Sequence, residues 1–249
     1  MTDNRKPVFL VIGAGAGIGG NCAMRFAAGG YHAVCARRSD EGALAELVGA
    51  IETSGGSATG TLLNAAEDGA IEELVARTER DMGPIYAALY NLGAQIGNRS
   101  LENTPHRIFE LGWRLATFGL FRLAHALFPA MIERGQGTLL VTSATAAMRG
   151  NAGQHSHAAA MGGRRMLCQT LNAEFAPKGI HIAHVVIDGP VDSPPLRKLL
   201  GHRWDGFAAS KGDGGIIDPA VLAETYWHLA HQPRNCWTHE IDVRPHSDV

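Results

Sequence analysis

Short apolar runs rich in β-branched residues recur along the chain, separated by longer segments whose apolar residues repeat at helical spacing. Two of these runs, at 8–12 and 182–187, are almost continuously apolar, which is typical of strands buried on both faces of a parallel sheet. The pattern predicts seven strands, at residues 8–12, 32–36, 58–62, 85–91, 137–143, 180–187 and 239–243.

Helical segments are predicted between the strands, and glycine or proline turns separate several of them. The alternation of strand and helix predicts a single α/β domain over residues 1–249, with a doubly wound, seven-stranded parallel sheet and helices on both faces. Ligands of such sheets bind beyond the carboxyl ends of the strands. The predicted helices are 17–29, 40–54, 68–82, 105–134, 154–176 and 218–231.

Glycines cluster at residues 13–20, between the first predicted strand and the first predicted helix. A tight turn at this point lets backbone N–H groups approach a pyrophosphate, and the helix N-terminus adds a partial positive charge. The alternative is a glycine-rich turn needed only for packing. The position directly after a strand favours a dinucleotide site.

Composition narrows the range of partners. The 249 residues include 22 basic and 24 acidic side chains, so the chain lacks the basic excess that a nucleic acid would require. The first apolar run is too short for a signal sequence or a membrane span, so we expect a cytoplasmic protein with no membrane partner. Four dispersed cysteines are expected to be reduced and buried. Twelve histidines come without a convergent set of carboxylates or thiolates, so no metal site is expected.

The spacing G-x-x-x-G-x-G of Gly13, Gly17 and Gly19 resembles the glycine loop of short-chain dehydrogenases/reductases. The resemblance covers nearly the whole chain and implies a Rossmann-type fold, a nicotinamide dinucleotide cofactor and a small carbonyl or alcohol substrate. It includes a turn like the family's N-A-G turn, the position of the family's catalytic serine and a segment that normally closes over the nicotinamide. These are residues 91–94, Ser143 and 188–193, respectively.

The end of the second predicted strand bears on the choice of cofactor. NAD-specific sheets usually place an acidic residue there, whereas a 2′-phosphate needs positive charge. Arg37 and Arg38 therefore favour NADP(H), with NAD still possible; the alternative is a solvated pair on a surface turn, partly neutralised by Glu41. Asn64 stands where the family commonly has an aspartate near the adenine. The predicted cofactor site comprises Gly13, Gly15, Ala16, Gly17, Ile18, Gly19, Arg37, Arg38, Asn64, Asn91, Gly93, Gly189, Pro190 and Val191.

The resemblance also implies a catalytic tyrosine and lysine, and this chain has neither. By the family spacing from Ser143, the tyrosine position is Ser156 and the lysine position is Ala160, while Ala116 replaces the family's asparagine. Ser143 remains, with the implied role of a hydrogen-bond donor to the reacting oxygen. A turn or capping role for this serine is the alternative.

Two neighbours are candidates for the missing proton transfer. Ser156 carries a hydroxyl, but an aliphatic hydroxyl is a much weaker acid than a phenol. His157 has a pKa suited to proton transfer, although on a helix it is turned about 100° from the vacant position; a structural role at the helix start is the alternative. Arg164, on the same helix face as Ala160, is expected to form a surface ion pair or else to lend charge to the site. Met148 and Met161 are candidates to fill the vacated space.

Two further regions suggest a substrate lid and an oligomer. Residues 194–217 lie where family members carry a variable lid, but its mixture of apolar and basic residues does not identify the substrate. The helices at 105–134 and 154–176 correspond to the family's interface helices. We expect a homo-oligomer, a tetramer or a dimer, because these helices carry apolar residues beyond one core stripe: Leu120, Leu123, Leu127, Met166 and Leu171.

Three functions remain open from the sequence, since a fold alone does not determine an activity. The first is an NADP(H)-dependent oxidoreductase with a divergent active site that acts on an unidentified small carbonyl or alcohol. The second is a dinucleotide-binding sensor or partner subunit without hydride transfer. The third is a lyase, isomerase or hydrolase that reuses the same cleft.

Overall fold

A seven-stranded parallel sheet forms the centre of the protein, in the order β3-β2-β1-β4-β5-β6-β7. The computed structural model describes residues 5–93 and 97–247, so Ala94 of the predicted 91–94 turn lies outside the described residues. The strand order runs outward in both directions from β1 and β4, which confirms the doubly wound architecture. The strands are β1 Val8–Ile12, β2 His32–Arg37, β3 Ser57–Leu62, β4 Ile85–Tyr90, β5 Gly137–Ala144, β6 Ile180–Ile187 and β7 Glu240–Val243.

Helices cover both faces of this sheet. One face packs against α3, α5 and α6, and the other packs against α1, α2 and α9. All five residues of β1 are buried because its side chains alternate between the two cores. The helices are α1 Ile18–Ala28, α2 Glu41–Thr53, α3 Ala70–Asp81, α4 His106–Trp113, α5 Gly119–Glu133, α6 His155–Phe175, α7 Pro194–Leu200, α8 Trp204–Lys211 and α9 Pro219–Ala230.

The helix predicted at 105–134 is interrupted. A π-helical turn at Arg114–Phe118 joins α4 to α5. The whole run His106–Glu133 is long and apolar enough to cross a membrane, but half of its apolar window is buried within the protein. It is therefore a core helix of this fold.

Some expected positions differ from those observed. Leu120, Leu123 and Leu127 are fully buried in the core and Leu171 is also buried there, so the expectation that they form a surplus apolar stripe was wrong; Met166 is exposed. Cys236 is exposed, whereas the other three cysteines are buried as expected. The predicted lid at 194–217 folds into α7 and α8, and a parallel β-bridge joins its last residue, Ile217, to Val191, which lies just before the lid.

Candidate functional site

A cleft of about 330 Å³ lies at the carboxyl ends of the first four strands. This is the place where a doubly wound sheet binds its ligand. Its walls come from the ends of β1, β2 and β3, the segment after β4 and the π-helical turn. The lining residues are Ile12, Gly13, Gly15, Ala36, Arg37, Arg38, Ser39, Leu63, Asn64, Ala65, Leu92, Gly93 and Leu115.

The glycine turn at the rim of this cleft leaves no space for side chains at two positions. Gly13 has φ +102°, and a Cβ there would lie 2.9 Å from the Asn91 carbonyl oxygen. A Cβ on Gly19 would overlap the carbonyl oxygen of Gly13. The amide of Asn91 donates to that same Gly13 oxygen at 3.0 Å, which fixes the turn against the end of β4.

The start of α1 is suited to an anion. Its N-cap residue, Gly17, offers no side-chain cap, and no acidic residue lies in the first turn. The N–H of Gly20 already donates to the Gly15 carbonyl oxygen at 2.8 Å, so the N–H groups before it, at Ile18 and Gly19, are the ones available to a phosphate. The helix dipole favours negative charge there. Ala16 is exposed and Ile18 is half-buried beside this turn. The backbone geometry fits the pyrophosphate of a dinucleotide.

Two arginines and a serine form the cleft wall at the end of β2. Arg37 contacts Asp40 at 3.4 Å, so the partner of this arginine is Asp40 and not Glu41, as the sequence had suggested. Arg38 is exposed. Ser39 was missed by the sequence reasoning, although its position directly after two arginines marks it as a further phosphate donor. The wall can hold a 2′-phosphate.

Asn64 lies in the cleft with its amide already engaged by its own loop. Its oxygen accepts from the Ala66 N–H at 3.3 Å, and its nitrogen donates to Glu67 at 3.0 Å. These contacts orient the amide at the end of β3. Asn64 thus lines the cleft with a fixed orientation of its amide.

The segment after β6 contacts the glycine turn from the other side. A Cβ on Gly17 would lie 3.2 Å from the Cβ of Ser193. Pro190 accepts from the Ile217 N–H at 2.9 Å, which connects this segment to the far end of the lid. Gly189 and Val191 are half-buried in it. The geometry therefore brings the predicted 189–191 segment beside residues 13–19.

Ser143 is covered by a neighbouring methionine. Its side chain is 4% exposed, and its hydroxyl lies 3.9 Å from the sulfur of Met161, which is 2% exposed. Ser156 is also engaged, because its hydroxyl donates to the carbonyl oxygens of Ile108 and Phe109 at 3.3 and 3.2 Å. Ser156 thus connects α6 to α4, and this contact gives it a structural role.

The space expected for the missing tyrosine and lysine is filled by small side chains and one methionine. Ala116, Ala146, Ala160 and Met161 form a separate buried cluster. Thr117 donates to the carbonyl oxygen of Ala160 at 2.7 Å, which holds the π-helical turn against α6. Met148, the other candidate filler, is exposed.

His157 lies at the edge of this cluster and is half-buried. Burial and, to a lesser extent, the charge of Arg164 lower its pKa, so the imidazole is neutral at pH 7. Its Nδ1 is buried without a hydrogen-bond partner among the described residues. The cavity that it lines with Ser156 measures only about 10 Å³, which is about the minimum needed to hold one water molecule. A substrate needs a larger opening to reach this histidine.

Arg164 corrects the expectation of a surface ion pair. It is 1% exposed, and in the described part of the chain no carboxylate pairs with it. Its guanidinium donates to three carbonyl oxygens, those of Ala116 at 2.9 Å, Thr142 at 2.5 Å and Leu92 at 2.6 Å. A buried cation therefore connects the π-helical turn with the ends of β4 and β5.

The described residues contain no group of three or more His, Cys, Asp or Glu side chains that is placed to hold a metal ion.

Comparisons with known proteins identify one family. Residues 7–202 match the short chain dehydrogenase family. The "Short-chain reductase protein NovJ" of Streptomyces niveus is 31% identical over 234 residues, which cover 91% of this chain and 88% of that protein. The "3-oxoacyl-[acyl-carrier-protein] reductase FabG" of Escherichia coli is 27% identical over 226 residues, or 90% of this chain and 89% of that protein.

Solved structures give the same result. A short-chain dehydrogenase from Rhodopseudomonas palustris superposes with a TM-score of 0.81 at 31% identity, covering 97% of this chain and 100% of that one. A metagenomic short-chain oxidoreductase in complex with NADP superposes with a TM-score of 0.80 at 21% identity, covering 96% of both chains. The second likeness bears on the fold alone.

Proposed function

The chain belongs to the short-chain dehydrogenase/reductase family, and on that premise we propose that it is an NADP(H)-dependent oxidoreductase with a divergent active site. Family membership makes it an oxidoreductase of the NAD(P)-dependent type. The observation that supports NADP(H) is the wall formed by Arg37, Arg38 and Ser39 in the open cleft beside the glycine turn. The proposed substrate is a small carbonyl or alcohol.

Each part of the cleft has a role in this proposal. The backbone N–H groups at Gly13–Gly19 hold the pyrophosphate, and Arg37 and Arg38 hold the 2′-phosphate as charge-assisted donors. Asn64, Asn91 and Gly93 lie at the adenine side, while the segment Gly189–Val191 borders the nicotinamide side. When bound, the cofactor supplies or accepts a hydride.

The proton step is where this chain departs from its family. His157 is the proposed proton carrier. As a neutral imidazole it can accept the proton of an alcohol, and in carbonyl reduction it first takes a proton from solvent and then gives it to the substrate oxygen. Ser143 can polarise a substrate oxygen only after Met161 moves from its hydroxyl. We therefore expect carbonyl reduction about 10²–10⁴-fold slower than in members with the usual tyrosine and lysine.

A second function is supported by the same closed region. A protein that binds NADP(H) without turning it over would serve as a sensor or partner subunit, and the 10 Å³ cavity beside Ser156 and His157 favours this candidate. A lyase, isomerase or hydrolase that reuses the cleft is the remaining alternative.

One assay distinguishes the three candidates. The protein is mixed with NADPH and a panel of small carbonyls, and both the cofactor absorbance and the substrate masses are followed. Cofactor loss that disappears in His157→Ala supports the oxidoreductase; binding without loss supports the sensor. A change of substrate mass without cofactor loss supports the third class and contradicts the proposal.

The cofactor part of the proposal has its own test. Replacing Arg37 and Arg38 with alanine should weaken NADPH binding about ten- to a hundredfold and leave NADH binding nearly unchanged, because a charge-assisted contact contributes about 1.5–3 kcal/mol. Lys178→Ala is the matched control, since it removes a cation at the opposite end of the sheet, directly before β6. Equal affinities for NADPH and NADH in the unaltered protein would exclude this role for the arginines.

The proposal includes self-association and a cytoplasmic location. Exposed aromatic residues on α4 and α5, Phe109, Trp113 and Phe121, support a homo-oligomer, either a tetramer or a dimer. The location stays a prediction from the sequence.

A further inference from the structure

The guanidinium of Arg164 lies beneath the second half of the dinucleotide site. It donates to Thr142 in β5 and to Leu92, which follows β4, at 2.5 and 2.6 Å. The arginine wall of the cleft lies at the other half of the sheet, at the end of β2, although the cleft itself reaches Leu92 and Gly93 after β4. Doubly wound sheets bind one mononucleotide over each half, with the 2′-phosphate side at the end of β2. The half above Arg164 is therefore the nicotinamide half.

The charge of Arg164 is not compensated by a nearby anion. Burial lowers its pKa, but an arginine starts so far above neutrality that it stays protonated. Three side chains that could become anions interact electrostatically with Arg164: Tyr90, Tyr226 and Cys168. Burial raises the pKa of each of them, to about 12 for Cys168. All three stay neutral at pH 7. The carbonyl oxygens that solvate the guanidinium carry dipoles but no net charge.

The next residue in α6 shows the contrast. Arg165 is paired with Glu240 through two hydrogen bonds, at 2.7 and 2.6 Å. Arg164 has no such partner among residues 5–93 and 97–247. The charge of Arg164 acts on the neighbouring His157, whose pKa it lowers in addition to the effect of burial. A net positive charge thus remains below the nicotinamide side of the cleft.

We propose that Arg164 makes this site selective for the redox state of the cofactor, so that the reduced dinucleotide binds more tightly than the oxidised one. The inference rests on the proposed NADP(H) site. An oxidised nicotinamide ring carries a positive charge and a reduced ring carries none. Buried like charges repel each other, and salt screens that repulsion poorly. The charge of Arg164 therefore weakens binding of the oxidised ring and does not weaken binding of the reduced ring. NADPH should bind at least about tenfold more tightly than NADP⁺.

Calorimetric titration of purified protein with NADPH, NADP⁺ and 2′,5′-ADP tests this selectivity. In Arg164→Met the ratio of the NADP⁺ to NADPH dissociation constants should fall toward one, whereas Arg164→Lys should retain it. Affinity for 2′,5′-ADP, which lacks a nicotinamide, should stay the same in all three proteins. Arg122→Met is the matched control, because Arg122 is also buried but is paired with Glu72 on α3; its ratio should equal that of the unaltered protein.

Several outcomes overturn the inference. Equal affinities for NADPH and NADP⁺ in the unaltered protein do so, and so does a ratio that Arg164→Met leaves unchanged. Failure of all three ligands to bind overturns the proposed NADP(H) site itself, whereas binding of 2′,5′-ADP with a ratio of one overturns only the role of Arg164.

If Arg164→Met does not fold, two ligands of the unaltered protein, NADP⁺ and its nicotinic acid analogue, test the same inference. Nicotinic acid adenine dinucleotide phosphate carries a carboxylate on the oxidised ring, which neutralises the charge of the ring. The unaltered protein should bind it at least about threefold more tightly than NADP⁺ if a buried cation opposes the ring. Equal or weaker binding contradicts the inference without any substitution.

Discussion

At the residue scale, we predict that Met161 controls whether a tyrosine and a lysine can act at positions 156 and 160. Its side chain is buried against Ser143, and Ala116, Ala146 and Ala160 pack around it. A tyrosine at position 156 and a lysine at 160 would have to enter this filled space. Overpacking of a buried cluster typically costs about 1–3 kcal/mol.

We therefore predict that Ser156→Tyr with Ala160→Lys lowers the free energy of unfolding by about 1–3 kcal/mol and restores little carbonyl reduction. Adding Met161→Ala should recover part of the stability and raise the rate. The tyrosine and lysine act as a unit, so either one alone should have little effect. Denaturant unfolding and NADPH-consumption assays measure both effects.

Met148→Ala is the control for that series. Because Met148 is exposed, its replacement should change neither the free energy of unfolding nor the rate of carbonyl reduction. If the double variant is as stable as the unaltered protein and already reduces carbonyls at the rate of the triple variant, Met161 is not the obstacle.

Single residues were predicted from the sequence with uneven success. The backbone positions Gly13 and Gly19 could be predicted, because a strand followed by glycines and a helix has few geometries. The roles of Arg164 and Ser156 could not, since both depend on carbonyl oxygens from other elements, those of Leu92, Thr142 and Ile108 among them. No local pattern marks such a carbonyl as a hydrogen-bond partner.

At the scale of elements, α1 and the turn before it carry the dinucleotide site. We predict that Gly19→Ala both destabilises the protein and weakens NADPH binding more than tenfold, because its Cβ would overlap the Gly13 carbonyl oxygen. Thermal unfolding and calorimetric titration measure the two effects.

A second helix provides the matched control. In α2, a Cβ on Gly49 would have no heavy atom within 4 Å. Gly49→Ala should therefore stabilise the protein by about 0.5–1 kcal/mol, because glycine is a poor helix former. NADPH affinity should not change. If Gly19→Ala behaves as Gly49→Ala does, the turn is not closely packed.

The edge of the sheet at β6 and β7 predicts a dependence on pH. Burial lowers the pKa of His184 to about 4, although Glu240 opposes the shift as an acceptor at 3.1 Å. The Nε2 of His184 is buried without a partner among the described residues, so a proton there would bury an unpaired N–H.

The sign of this effect follows from linkage. A histidine that is neutral in the folded state binds protons more readily when unfolded, so its contribution to stability is complete above about pH 6.5 and is lost as the pH falls toward 4. The free energy of unfolding should drop by about 3 kcal/mol over that range on account of His184. Glu240, whose pKa Arg165 lowers, adds a loss of the same sign at more acidic pH.

Urea unfolding between pH 7 and pH 4 measures this dependence. His184→Gln should flatten the profile, whereas His202→Gln, at an exposed lid position, should leave it as it is. An unchanged slope in His184→Gln would assign the acid loss to other groups.

The boundaries of the elements were predicted to within two residues for most strands and helices, because buried strands and amphipathic helices have distinct periods. Two features were not predictable. The π-helical turn at Arg114–Phe118 depends on contacts of Ala116 and Thr117 with α6, and the short helices α7 and α8 have too few residues to show a period.

At the scale of the whole molecule, a single chain leaves an aromatic surface on α4 and α5 exposed to solvent. Trp113, Phe118 and Phe121 stack in a row, with ring centroids 5.3 and 6.3 Å apart. A groove of about 320 Å³ continues this surface between α5 and α6, from Phe121 to Phe175. The sequence analysis placed an interface on the same helices, but assigned it partly to leucines that the core buries.

We predict that this surface binds a second copy of the chain, so that the protein in solution is a dimer or tetramer; four chains of 26.4 kDa give about 106 kDa. Phe121 is 48% exposed at the centre of the surface, and burying it in an isologous contact removes apolar area from water twice. Phe121→Glu should lower the mass reported by light scattering, since it places two carboxylates in one apolar contact. Leu199→Glu, at a 74% exposed lid position, is the control and should leave the mass unchanged. A mass of about 26 kDa for the unaltered protein at micromolar concentration would contradict the prediction, because the aromatic row would then be stable in water without a partner.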